Sequence, residues 1–356
     1  MAGSSFGNVF KLTTFGESHG PSIGGIIEGC PPNFELNLSE IQAYLDRRKT
    51  GQNAFASTRK EEDEVVFLSG IYQGKTTGTP IGFNIKNKDA RPEDYDSIST
   101  LYRPSHADFT YEKKYGLRDP KGGGRSSARE TACRVVAGAV AAQILASKGI
   151  VLSTYVDQIG TQRMPLKSGF YSQSTIDQST LRCPDLEISK KMEDYLQEVK
   201  AKGDTAGGCI QCVIHGVPAG LGEPVFDKIH ADLGKAMLSI NAVRGFEIGS
   251  GFDAAKMLGS EHNDLFNDDF TTQTNFSGGI QGGITNGMPI YFRVAFKPVA
   301  TLMQKQTTVN AAGQQNTLDP KGRHDACVVP RAVPIVESMA AIVILDFFLR
   351  NKTLSL

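Results

Sequence analysis

The sequence has no surplus of either charge: 38 Lys and Arg face 38 Asp and Glu in 356 residues. A neutral chain has no overall field to draw it onto nucleic acid or an anionic membrane, so neither is an expected partner. Nowhere do eighteen apolar residues run unbroken, and residues 1–11 are polar, with no basic stretch ahead of an apolar core. No transmembrane segment or secretory leader is therefore expected, and a cytoplasmic protein is the default. Cysteine is sparse: Cys30, Cys133, Cys183, Cys209, Cys212 and Cys327, scattered without a secretory context, read as reduced and mostly buried thiols. Cys209 and Cys212 have metal or redox spacing, but they lie in an alternating run that sends them to opposite faces of a strand. Local HxH, HxxxH and HExxH spacings are missing, as are a P-loop and a strand-to-helix GxGxxG fingerprint.

What is present is an ordinary globular composition, 40% hydrophobic and 21% charged, in a chain near the length at which single cores begin to divide. One domain over residues 1–356 or two closely packed halves both satisfy this. Two segments, 127–148 and 332–350, are apolar on nearly every side, which predicts helices inside the molecule. Ser127 and Glu130 have capping-box spacing at the start of the first, and Gly149 ends it. Amphipathic helices are expected over 38–48, 189–202 and 227–240, and strands over 23–28, 64–69, 80–86, 150–158, 209–217 and 289–297. The order of these elements has no regular βαβ beat, so the fold class is mixed α/β with antiparallel sheets. An arginine-bearing loop precedes a buried helix twice, at 125–148 and 323–350, which hints at an internal pseudo-duplication. Residues 304–320 are polar with little periodicity.

Arginine concentrates between residues 47 and 134, so a local anion site is expected within a neutral protein. Gly122-Gly-Gly-Arg-Ser-Ser-Ala-Arg129 opens the first buried helix. Free backbone N–H groups, hydroxyls and the guanidiniums of Arg125 and Arg129, which a buried helix entrance would not otherwise choose, suit a phosphate or carboxylate. Three histidines stand in Gly- or Pro-marked polar loops: His19, His106 and His324. Imidazole exchanges protons near neutrality, and a loop residue is freer than a core residue to face a ligand. His215, His230 and His262 read as structural.

Seven ordered blocks carry a whole-chain resemblance: Thr14-Phe-Gly-Glu-Ser-His-Gly20, Arg103-Pro-Ser-His-Ala-Asp108, Gly122 to Thr131, Val217 to Phe226, Ser239-Ile-Asn-Ala-Val243, Gly278-Gly-Ile-Gln-Gly-Gly283 and Gly322-Arg-His-Asp-Ala-Cys327. Together they resemble chorismate synthase. The resemblance implies a β-α-β sandwich, with a helical layer between two antiparallel sheets, assembled as a homotetramer. It implies a lyase that removes phosphate and a proton from 5-enolpyruvylshikimate 3-phosphate, with reduced FMN although the reaction has no net redox change. NADPH enters only indirectly, through a flavin reductase. Carried over residue by residue, His19 resembles the acid near the departing phosphate, His106 the group that protonates or hydrogen-bonds the reduced flavin, and Asp325 the proton relay. Arg48, Arg129 and Arg323 resemble substrate-binding arginines. Arg125, Ser126, Ser127, Asn241, Ala242, Gly282, Lys297, Pro298, Val299, Ala300, Thr301 and Arg323 resemble the FMN contacts.

The sequence departs from the family pattern where Thr50 replaces a proline and Ala54 a basic residue, with Lys49 or Arg59 as substitutes for the lost cation. Ala326 replaces a common proline, and Val299-Ala300 more polar residues. A flavin reductase and a non-catalytic FMN-binding protein are the rival readings. The missing dinucleotide fingerprint counts against the first, and the joint presence of His19, His106 and Asp325 against the second.

Overall fold

Two helices without a polar face run through the middle of the molecule. The computed structural model describes residues 3–52, 55, 62–88, 100–119, 123–165, 169–319 and 325–352. Within it Thr131–Ala146 and Val329–Asn351 pack on each other, and nearly every side chain of both is buried. Their closest approach needs a glycine: a Cβ on Gly138 would stand 2.1 Å from that of the fully buried Ser338. The second helix is long and apolar enough to cross a membrane, but 89% of its most apolar window is buried inside the protein, as a core helix requires. Pro334 inside it has no N–H to give Pro330 O, and the buried Arg182 fills that acceptor from Nη1 at 2.5 Å.

Each face of this helical pair is covered by a five-stranded antiparallel sheet. The first has the order Ser5–Phe6, Lys11–Gly16, Ser22–Glu28, Ile81–Lys86, Val65–Phe67. Leu12, Ile23, Ile27, Ile81, Phe83 and Ile85 point inward from it. The second has the order Val243–Ile248, Ile290–Phe296, Gly208–His215, Val151–Ile159, Gln162–Arg163. Its inward row includes Val156, Ile210, Cys212, Ile214, Phe292 and Val294. This is the expected sandwich, a helical layer between two antiparallel sheets. All six cysteines are free; Cys212 faces the core, where burial pushes its thiol up to about 12, and Cys209 lies half-buried three residues away.

The amphipathic helix expected over 38–48 is Leu38–Arg48. Asn37 caps it by accepting from the Glu40 N–H, and its buried row is Ile41, Leu45 and Arg48. An arginine thus occupies the inward stripe at the last turn. The capping box expected at Ser127 does not form. Two 3₁₀ turns, Gly124–Ser126 and Ala128–Glu130, precede the α-helix, and Ser127 Oγ accepts from Arg129 N–H. Glu130 turns instead to Thr14 and Arg134. The polar stretch 304–320 contains a hairpin, Gln306–Val309 with Gln315–Leu318, held by backbone pairing and exposed on most of its side chains.

Candidate active site

A cavity of about 900 Å³ opens beside the entrance of the first core helix. Its cations are Arg118, Arg125, Arg134 and Lys235, set among the carboxylates of Glu17, Asp108, Asp119 and Glu130, and its apolar wall includes Leu12, Tyr111, Tyr115, Met339 and Ile342. Gly124 takes the left-handed φ of +49° that turns the chain so that Arg125 faces the first sheet. There Arg125 donates to Thr14 Oγ1 at 2.7 Å and to Gly16 O at 3.2 Å. The Asn241 amide donates to Ser126 O at 2.8 Å, so the segment after the Ile229–Leu238 helix is fastened to the same turn. Next to it Ala242 accepts from Lys297 N–H at 2.9 Å, which brings in residues 297–301. Val299 O is held by Thr205 Oγ1, and Thr301 Oγ1 lies 3.0 Å from His106 Nε2. Ala107 and Asp108 return this chain of contacts to the cavity wall.

The loop carrying His106 is clamped at its ends by Arg103 and Asp108. Asp108 accepts from Arg103 Nε at 2.8 Å, Arg103 Nη2 at 2.7 Å and the Arg103 N–H at 3.0 Å. Burial alone would raise the Asp108 carboxyl, but the hydrogen bonds and charge of Arg103, with Arg118 behind it, hold it below its ordinary value. Ser105 takes a left-handed φ of +60° within this clamp. His19 stands in a loop closed by Asn87, whose amide donates to Glu17 O at 2.9 Å and Gly20 O at 2.7 Å. Ser18 Oγ lies 3.0 Å from His19 Nδ1.

Asn87 also links this loop to the arginines, because its Oδ1 accepts from Arg129 Nε at 2.9 Å. Arg129 and Arg48 converge on one carboxylate that sequence reasoning missed. Asp63 Oδ2 accepts from Arg48 Nη2 at 2.5 Å, and Oδ1 accepts from Arg129 Nη1. Burial raises the Asp63 carboxyl, and the two guanidiniums outweigh it, leaving it at about 2. Asp325 is held by Arg331 Nη1 at 2.6 Å, and Arg331 Nε donates to Arg48 O. Arg323 and His324 lie outside the described residues, as do Ala54 and Arg59. Lys49 is engaged with Asp46 at 2.6 Å.

His19, His106, Arg48, Arg125, Ser126, Ser127, Arg129, Asn241, Ala242, residues 297–301 and Asp325 thus belong to connected surroundings. Gly282 does not join them. It stands in the exposed turn of the Ile280–Gln281 and Ile284–Thr285 hairpin, whose contacts run to Leu221, Lys228 and Ile229. Two of the histidines read as structural have local partners: His215 packs edge-on against Phe170, and His262 Nε2 lies 2.9 Å from Ser250 Oγ. No spacing signal marked Asp63, Asn87 or Arg331, because each reaches the site from a separate part of the chain.

Known proteins resemble the chain over nearly its whole length. The family model for chorismate synthase matches residues 10–349. Chorismate synthases of Christiangramia forsetii and Flavobacterium psychrophilum are each 61% identical to the chain, over 99% of both chains in each case. That of Bacteroides thetaiotaomicron is 54% identical over the same shares. A crystal structure of chorismate synthase superposes with a TM-score of 0.77 at 33% identity, covering 97% of this chain and 93% of the other. The chain belongs to the chorismate synthase family, carbon–oxygen lyases of the shikimate pathway.

Proposed function

We propose that this lyase, which eliminates phosphate from 5-enolpyruvylshikimate 3-phosphate to give chorismate, works with reduced FMN held in the cavity around Arg125, Ser126 and Asn241. The observation that carries the reading is the unbroken line of hydrogen bonds and short segments from Arg125 through Asn241 and residues 297–301 to His106. The cavity suits the group, since apolar and aromatic walls match a flat ring system and Arg125, Arg134 and Lys235 match a phosphate tail. Reduced FMN, when bound, supplies the transient electron that a poorly acidic C–H bond needs before phosphate can leave.

The chain's own residues supply position and protons. Arg48 and Arg129, with Arg323, bind the substrate's anionic groups, as guanidiniums suit bidentate oxyanions. His19 gives a proton to the departing phosphate, with its ring oriented by Ser18. His106, steadied by Thr301, hydrogen-bonds or protonates the cofactor. Asp325, oriented by Arg331, relays the proton removed from the substrate ring.

Anaerobic incubation with chemically reduced FMN and substrate, followed for chorismate and phosphate, tests the reading. Product is expected with reduced FMN and not with oxidised FMN plus NADPH. Product from the second mixture would favour a flavin reductase, and FMN binding without product would favour a binding protein. The same reading includes a cytoplasmic homotetramer. The outer face of the first sheet, where Phe15, Ile26, Val66 and Leu68 are exposed, supports association with further copies. Sedimentation of the ligand-free protein is expected to give a tetramer, and a stable monomer would refute it. We further read the chain as one domain built by internal duplication.

A further inference from the structure

We infer that Asp63 is a positioning residue of the substrate's anion site: its one carboxylate sets Arg48 and Arg129 side by side. This deepens the reading of those arginines as substrate ligands and rests on it. Three separate segments meet at this point. Arg48 is the last residue of the Leu38–Arg48 helix and projects from its buried stripe. Arg129 belongs to the 3₁₀ turn that leads into a core helix. Asp63, 1% exposed, comes two residues before the Val65–Phe67 strand, with a left-handed φ of +47°.

The carboxylate splits its oxygens between the two cations, Oδ2 to Arg48 and Oδ1 to Arg129. Two buried guanidiniums at the width of one carboxylate repel each other unless something anionic stands between them. Before substrate arrives, Asp63 does so. Its effect extends further, because Arg129 is also tied to Asn87, and Asn87 closes the loop of His19. Loss of the carboxylate therefore disturbs the alignment of both arginines before substrate binds, which is a binding effect more than a chemical one. The carboxyl, held near 2, stays ionised at every assay pH, so the effect is independent of pH between about 5 and 8.

The test uses the full chain with chemically reduced FMN under anaerobic conditions, measuring KM for 5-enolpyruvylshikimate 3-phosphate and kcat in Asp63→Asn, Asp63→Glu, Arg48→Gln and Arg48→Gln/Asp63→Asn. Asp63→Asn is expected to raise KM roughly tenfold or more with kcat within about threefold, evenly across pH. Asp63→Glu should recover part of the loss. Asp63→Asn should add little, about twofold at most, to Arg48→Gln, since the pair acts as a unit. A lowered KM in Asp63→Asn would mean that the carboxylate competes with substrate, and overturns the inference. An unchanged KM in Arg48→Gln defeats the underlying reading of that arginine. A raised KM there with an unchanged KM in Asp63→Asn defeats the inference alone. If Asp63→Asn does not fold, the double variant, which removes one cation with the anion, is compared with Arg48→Gln. Equal KM values then support the inference, and a further tenfold rise overturns it.

Discussion

The chain passes twice through one succession of elements, and the two passes carry different chemistry. The first runs Lys11–Gly16, Ser22–Glu28, the Leu38–Arg48 helix, Val65–Phe67, the Ile71–Tyr72 and Lys75–Thr76 hairpin, Ile81–Lys86, and the Thr131–Ala146 helix. The second runs Val151–Ile159, Gly208–His215, the Ile229–Leu238 helix, Val243–Ile248, the Ile280–Gln281 and Ile284–Thr285 hairpin, Ile290–Phe296, and the Val329–Asn351 helix. Corresponding strands occupy the same relative positions in their sheets. In the second pass the charges satisfy one another locally: Arg293 donates to Asp157 at 2.7 Å, Glu247 at 2.6 Å and Gln158 at 3.2 Å. In the first pass two arginines, Arg48 and Arg129, share the carboxylate of Asp63. The shared scaffold supplies the layers, and the two passes differ in how their buried charges are paired.

The largest expected contrast lies between the histidines of the two passes. His19→Ala and His106→Ala should each lower turnover by roughly 10²- to 10⁴-fold, the range for positioned acids and bases, with little change in melting temperature. His215→Ala removes a ring that packs on Phe170, at 4.8 Å between centroids, and should leave turnover within about twofold. Steady-state kinetics with a melting curve for each variant makes the comparison. Equal losses at His19 and His215 would erase the functional difference between the halves.

Next in size is the joint between them. Gly138→Ala places a methyl group on Ser338, backbone and side chain alike, so the helices must separate. The expected cost is about 2–3 kcal/mol, read from the urea midpoint. Unchanged stability would show that the two passes are not locked at this crossing.

Much of this was legible because strong periodicity survives burial. The Leu38–Arg48 helix has an inward stripe led by Ile41 and Leu45 and a capping asparagine, and its limits match the expected ones. The Lys11–Gly16 strand was not foreseen, since its inward row alternates Leu12 with Thr14 and its outward row includes Phe15, so neither face is distinctly apolar. Val243–Ile248 is interrupted by a register shift at Gly245, which breaks the period of two. At the site, local motifs marked the residues proposed to meet ligands, whereas Asp63, Asn87 and Arg331 reach those residues through tertiary contacts. Such contacts leave no spacing in one sequence.

The smallest expected difference is in how one buried aspartate of each pass, Asp63 and Asp157, responds to acid, and its sign separates the halves. Asp63 has its folded value lowered from 3.8 to about 2, since Arg48 and Arg129 outweigh burial. Its ionised form therefore contributes about 2 kcal/mol at neutral pH, present above 3.8 and lost as pH falls through 2. Asp157 has its folded value raised, because burial outweighs the attraction of Arg293. Its charge opposes folding at neutral pH, and that opposition is relieved as pH falls through the raised value. Asp157→Asn should thus change stability by no more than about 1 kcal/mol at pH 7, with Arg293 still paired to Glu247. Asp63→Asn should cost about 2 kcal/mol at pH 7, and the deficit should shrink below pH 3.8. Urea midpoints of both variants and the parent at pH 7, 4 and 3 decide the matter. A larger loss for Asp157→Asn than for Asp63→Asn at pH 7 would reverse the difference in charge pairing on which the comparison of the halves depends.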